Sequence, residues 1–106
     1  MTAYAGTGPA LGYISTKGAI VAFTRELSNQ QVSKGIRVSA VAPVPVWTPL
    51  VVSTMDKKSL SQLGSTLMGR LGQPSQIATC YVFLASSDSS FVSGQVLHSN
   101  GGTIIN

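Results

Sequence analysis

Tyr13 and Lys17 stand four residues apart, at the head of the apolar run Gly18 to Phe23 in a chain of 106 residues. On an α-helix that spacing puts a phenol and an ammonium on one face, one turn apart. A phenol titrates near pH ~10 unaided, and a close cation favours its ionised form, which draws it towards the range useful for proton transfer. The pair reads either as a proton donor with its electrostatic support or as an ordinary surface pair, since Tyr and Lys at this spacing occur by chance on many helices. The other reactive side chains are sparse. Glu26, Asp56 and Asp88 are the 3 acids, too few and too scattered for a paired-carboxylate mechanism. His98 is the 1 histidine and has no Cys, His, Asp or Glu spaced to complete a metal site, so no metal is expected. Cys80 is the 1 cysteine and reads as a small buried hydrophobe within a helix.

The elements that must position the pair follow from hydrophobic spacing and turn residues. Met1 to Gly12 is turn-rich, and Gly6-Thr7-Gly8 reads as loop because no strand precedes it and Pro9 follows. A helix is expected from Tyr13 to about Val32, with Ile14, Gly18, Val21, Ala22, Arg25 and Ser28 on one face and Lys34-Gly35 as its stop. Gly18, Ala19 and Ala22 are small enough to let a neighbouring element come close. Ile36 to Ala42 is short, β-branched and bounded by Gly35 and Pro43, as a buried strand would be. Pro43, Pro45 and Pro49 keep the next segment extended. A short helix is expected at Asp56 to Leu63, capped by Ser53 or Thr54 and ended by Gly64, with Asp56-Lys57-Lys58 as a solvated start. Pro74 suits the first turn of a helix running to about Ser86, whose apolar side is Ile77, Ala78, Tyr81, Val82, Leu84 and Ala85. Gln95 to His98 reads as a last strand. About three helices and two strands make an α/β chain. Two parallel strands have no independent stability, so the chain reads as part of a larger sheet.

Composition narrows the partners. The chain is 43% hydrophobic and only 9% charged, against about 25% charged in a typical soluble domain. Such a surplus of apolar surface in one small domain predicts a protein partner, either another copy or a further segment. The net charge of +4 comes from 7 basic residues that are scattered along the chain without aromatic interleaving, which argues against nucleic acid. Lys17, Arg25, Arg37 and Lys57 interrupt every apolar stretch short of a membrane span. A single cysteine and no secretory signal between Met1 and Leu11 lead to the expectation of a reducing, cytoplasmic setting.

The order of the signals resembles the C-terminal half of the short-chain dehydrogenase/reductase family. The resemblance is carried by Tyr13-x-x-x-Lys17, Lys34-Gly35-Ile36-Arg37-Val38, Ala42 to Leu50, Gly69-Arg70-x-Gly72-x-Pro74, Phe83 to Ser86, Gly94-Gln95 and Asn100-Gly101-Gly102. It spans essentially the whole chain. It implies a partial Rossmann-like, doubly wound fold, with residues 1–106 as the C-terminal portion of a single domain that lacks the N-terminal nucleotide-binding half. It implies NAD or NADP as cofactor and a small carbonyl or alcohol substrate, with a sugar or polyol as the softer subgroup reading. In such enzymes the residue matching Tyr13 exchanges the substrate's proton, and the one matching Lys17 binds the nicotinamide ribose and lowers the Tyr pKa. The segment matching Pro43 to Thr48 lies along the cofactor. There the Val46 backbone would meet the nicotinamide carboxamide, and the Thr48 hydroxyl would support the carboxamide or diphosphate. Trp47 and Met55 to Met68 would fall near the substrate loop.

Several positions depart from the family pattern. The catalytic Ser, which usually stands thirteen residues before the Tyr, would fall just ahead of Met1. Ser15 is no substitute, because two residues along a helix turn it to another face. Val44 stands where the family has Gly, and its Cβ is expected either to block close approach to a cofactor or to demand a disfavoured φ. Ser39 replaces a common Asn, Leu67 a common Pro, and Ser99 a usual apolar residue. Two functions follow as expectations: part of an NAD(P)-dependent oxidoreductase, inactive by itself, or a non-enzymatic protein derived from one that acts through self-association. A homo-oligomer is expected in either case.

Overall fold

The structure, a computed structural model, describes residues 11–44, 46–49 and 66–103. Helix α1 spans Leu11–Gln31 and passes into a 3-10 turn at Val32–Lys34. Gly35 ends it at φ 76, where its N–H donates to the Val32 carbonyl. Lacking a Cβ, glycine takes that left-handed position without strain, and this explains why Lys34-Gly35 stops the helix. Strand β1 is Ala40–Pro43, helix α2 is Pro74–Ala85 and strand β2 is Val96–Ser99. The expected short helix at Asp56 to Leu63 lies outside the described residues.

β1 and β2 pair in parallel, with Ala40 opposite Val96 and Pro43 opposite Ser99. Ala40 N–H donates to Gln95 O at 2.9 Å and Val44 N–H to Ser99 O at 3.0 Å. With a period of two, the peptides of residues 40, 42 and 44 face β2, and those of Val41 and Pro43 face the opposite edge. Pro43 can therefore close the strand, since the donor it lacks is not one the ladder uses.

The strand starts later than the expected Ile36. Opposite its early residues stands Gly94 at φ 73, which bends the partner chain. Gly94 N–H still reaches Val38 O at 2.7 Å, but Val38 N–H goes to the Ser93 side chain at 3.1 Å instead of to a backbone carbonyl. A hydroxyl thus replaces one rung, and regular pairing begins only at Ala40.

α1 presents Ile14, Gly18, Val21, Leu27 and Gln31 half-buried, with Thr24 and Ser28 buried. The sequence pattern located this face but included Ala22 and Arg25, which are exposed. Ala19 is exposed as well, and a Cβ added at Gly18 would meet nothing within 4 Å, so the small residues mark no close approach among the described residues. α2 begins as expected at Pro74, with the Gln76 side chain accepting from Gln73 N–H at 3.0 Å to cap the first turn. Its inner side is Ile77, Cys80 and Leu84, one and two turns apart; Tyr81 and Val82, expected inside, are 56% and 67% exposed.

The far end of α2 is closed by Arg37. Its Nη1 donates to Ser89 O at 2.8 Å and to Ser89 Oγ at 2.7 Å, and its Nη2 to Ser86 O at 3.2 Å. Ser89 is wholly buried, and its hydroxyl donates onward to Leu84 O at 2.9 Å. The planar guanidinium thus neutralises carbonyls that the helix end leaves without intrahelical donors. Replacing Arg37 by Ala is expected to lower stability by about 1–3 kcal/mol, and Arg37→Lys to recover little of it, because an ammonium cannot fork across Ser86 and Ser89. Urea unfolding midpoints of the three proteins would measure this.

Candidate active site

The carboxyl ends of parallel strands are where an open α/β sheet places its ligands, because the loops leaving them diverge. β1 ends there at Pro43, followed by Val44, which is 6% exposed. Beyond it Val46 forms a parallel bridge with Gly72, and Trp47 N–H donates to Gly72 O at 2.9 Å. In such a bridge the flanking peptides bond the partner, so the N–H and C=O of Val46 itself turn away from Gly72. One donor and one acceptor, side by side on an extended segment, match a primary carboxamide. Thr48 follows half-buried and Trp47 is 50% exposed.

Tyr13 and Lys17 lie in the first turns of α1, four residues apart on an unbroken helix, and Lys17 is exposed. Ser28 Oγ lies 2.6 Å from Ser93 Oγ, near the amino ends of the strands, and α1 then turns back through Gly35 into β1. The helix therefore runs against the strands, and its first turns lie towards their carboxyl ends, on the side of Pro43, Val46 and Thr48. Ser15 sends its hydroxyl back to Leu11 O at 2.8 Å.

Val44 does not adopt the disfavoured backbone considered from sequence, since no described residue other than glycine has a positive φ. Its side chain lines a cleft of about 260 Å³ together with Ile77, Arg70, His98, Asn100 and Gly101. Val44 is thus a packing residue between the strand ends and α2, a role that the pattern of prolines and glycines around it did not disclose. Asn100, 9% exposed, donates to Thr103 O at 2.7 Å and accepts from Gly102 N–H at 3.2 Å, holding the turn after β2. Cys80 is half-buried on the inner side of α2. Among the described residues no group of three His, Cys, Asp or Glu gathers as a metal site, and no helix is long and apolar enough to cross a membrane.

Against this geometry the relatives fall into one class. The model of the family described as enoyl-(acyl carrier protein) reductase matches residues 2–103. The glucose and ribitol dehydrogenase of Daucus carota is 62% identical over 107 residues, covering 100% of this chain and 37% of that protein. The chloroplastic NADPH-dependent aldehyde reductase 1 of Arabidopsis thaliana is 50% identical over 108 residues, covering 100% and 38%. A short-chain dehydrogenase/reductase of Brucella melitensis, described as a glucose/ribitol dehydrogenase, superposes with a TM-score of 0.86 at 36% identity over 100% of this chain and 43% of its own. The chain belongs to the short-chain dehydrogenase/reductase family and has its α/β, Rossmann-like class of fold, spanning about 37% of the length of the carrot relative. Members of this family are NAD(P)-dependent oxidoreductases.

His98 sets a pH dependence at the edge of the site. Burial pushes its imidazole below the usual 6.5. The folded state therefore resists a proton that the unfolded chain accepts near pH 6.5, so the unfolded state binds more protons and stability falls as pH drops below that value. The loss ends once the pH lies below the folded-state pKa. Melting temperatures between pH 8 and pH 5 are expected to decline more steeply for the native chain than for His98→Gln; parallel curves would show that another group governs the acid limb.

Proposed function

We propose that this chain supplies the proton-transfer helix and the nicotinamide edge of an NAD(P)-dependent oxidoreductase acting on a small carbonyl or alcohol, with residues 1–106 forming the C-terminal portion of one Rossmann-like domain. The reading is supported above all by the outward-turned peptide of Val46, which lies beyond the carboxyl end of β1 on the side towards which α1 carries Tyr13 and Lys17. That donor and acceptor fit the carboxamide of a nicotinamide. The half-buried Thr48 hydroxyl next along the segment fits a second polar contact, and Pro43 holds the approach extended. When bound, the nicotinamide takes up or delivers the hydride that exchanges with the substrate carbon.

The chain's own residues account for the proton. Tyr13 gives its phenolic proton to the carbonyl oxygen in reduction and takes it back in oxidation. Lys17, one turn on, stabilises the phenolate left behind and donates to the ribose hydroxyls. Val46 and Thr48 orient the ring, and the exposed Trp47 borders the space left for substrate. The names of the carrot and Arabidopsis relatives favour a sugar, polyol or aldehyde as that substrate.

A second role is favoured by the apolar surface. Ile20 and Phe23 on α1 and Tyr81 and Val82 on α2 are all more than half exposed. Burying these faces against a second copy would make a homo-oligomer.

The test is complementation. The part of the carrot dehydrogenase that this chain does not match is supplied as a separate polypeptide, and NADPH and NADH oxidation is followed with small aldehydes. Activity is expected in the mixture and not from this chain by itself, with Tyr13→Phe lowering it by about 10²–10⁴-fold. Lys17→Ala is expected to abolish the coenzyme-induced rise in melting temperature. A folded complex that binds neither coenzyme would overturn the oxidoreductase reading, and a monomer by sedimentation would overturn self-association.

A further inference from the structure

Near the carboxyl end of α1 three residues from different parts of the chain meet. Ser28 Oγ lies 2.6 Å from Ser93 Oγ, and Ser93 Oγ accepts from Val38 N–H at 3.1 Å. Gly94 N–H donates to Val38 O at 2.7 Å, which holds the same point from the other side. The junction has no spare room, because a Cβ at Gly94 would stand 3.1 Å from Ser28 Oγ and 3.4 Å from Ser28 Cβ. Ser28 is 5% exposed and Thr24, one turn earlier on the same face, 6%. At helical spacing residue 17 falls within about 20° of both 24 and 28 around the axis, so the junction and Lys17 share a face.

We propose that Ser28, Ser93 and Gly94 form a positioning joint that sets the tilt of α1 and, through it, where Tyr13 and Lys17 stand at the carboxyl ends of the strands. The catalytic part of this inference rests on the role proposed for those two residues. At 1.5 Å per residue, Lys17 lies about 16 Å and Tyr13 about 22 Å along the axis from Ser28. A tilt of only about 5° at the joint therefore moves the backbone of Tyr13 by about 2 Å, and misplacements of about 1 Å already cost about 10²-fold in rate. Gly94 thus has two reasons to be glycine: its φ of 73, and the seat it leaves for the Ser28 hydroxyl. These are positioning residues; none of them touches the reacting atoms.

The test separates geometry from chemistry. In a Cys80→Ser background, spin labels are placed at Gly12→Cys and Ser75→Cys, and in a second protein at Asn29→Cys and Ser75→Cys, all at exposed positions. Ser28→Ala and Gly94→Ala are expected to shift or broaden the 12–75 distance by about 2 Å while moving the 29–75 distance by less than about half as much, as a lever requires. Adding Ser28→Ala to Gly94→Ala removes the crowded oxygen and is expected to draw the 12–75 distance back, although the melting temperature stays low because the strained φ remains. In the complemented enzyme, Ser28→Ala is expected to lower kcat by about tenfold or more with KM little changed. An unchanged 12–75 distance in folded Ser28→Ala protein overturns the joint, whether or not Gly94→Ala folds. A shifted distance with Tyr13→Phe as active as the native chain leaves the joint standing and overturns the catalytic role of Tyr13.

Discussion

Everything the site needs hangs on the parallel pairing of Ala40–Pro43 with Val96–Ser99. Parallel strands cannot be joined by a tight turn, so α2 must cross between them, and the carboxyl ends of both strands open on one side. Pro43, Val44, Ser99 and Asn100 are brought to that side by the register alone. Antiparallel pairing would have separated them by the length of the sheet. The alternation of the ladder also decides which peptides remain for other partners: those of Val41 and Pro43 turn from β2 to the other edge, while Val46 turns from Gly72.

Buried side chains are more often polar than apolar among the described residues. Among the described residues Val44 and Leu71 are the buried apolar side chains, whereas Thr24, Ser28, Ser89 and Asn100 are the buried polar ones. Each of the four has a hydrogen-bond partner: Thr24 to Ile20 O, Ser28 to Ser93, Ser89 among Arg37, Leu84 and Ser86, and Asn100 within its own turn. Hydrogen bonds of this kind specify geometry and add little net stability, since the unfolded chain makes equivalent bonds to water. The apolar faces of α1 and α2 are the complementary half of that economy. Ile20, Phe23, Tyr81 and Val82 would stabilise an assembly and do little for the isolated chain.

Much of the architecture was legible along the chain because its signals are local. Gly35 and Pro74 punctuate α1 and α2 through backbone constraints that need no distant partner, and the spacing of Ile14, Gly18, Val21 and Ser28 marks the inner face of α1. The misassignments have non-local causes. β1 begins at Ala40 and not Ile36 because Gly94 and the Ser93 hydroxyl, more than fifty residues away in sequence, replace the early rungs. Thr24 is buried while Ala22 and Arg25 are exposed, because the face that meets the rest of the chain is centred slightly away from where side-chain size alone would put it. Ile77 and Leu84 face inward as expected, joined by Cys80, but helical phase leaves Tyr81 and Val82, expected on the same side, exposed.

The sequence by itself determined the family, the two principal helices, the parallel α/β class and the adjacency of Tyr13 and Lys17, since four residues on a helix are one turn whatever surrounds them. Tertiary structure alone decided that Val46 turns its peptide away from Gly72, that Val44 packs into the cleft beside Ile77 and His98 without a left-handed φ, and that α1 is seated through Ser28 against Ser93 and Gly94. Those outcomes depend on which distant segments meet, and spacing along one segment carries no record of that.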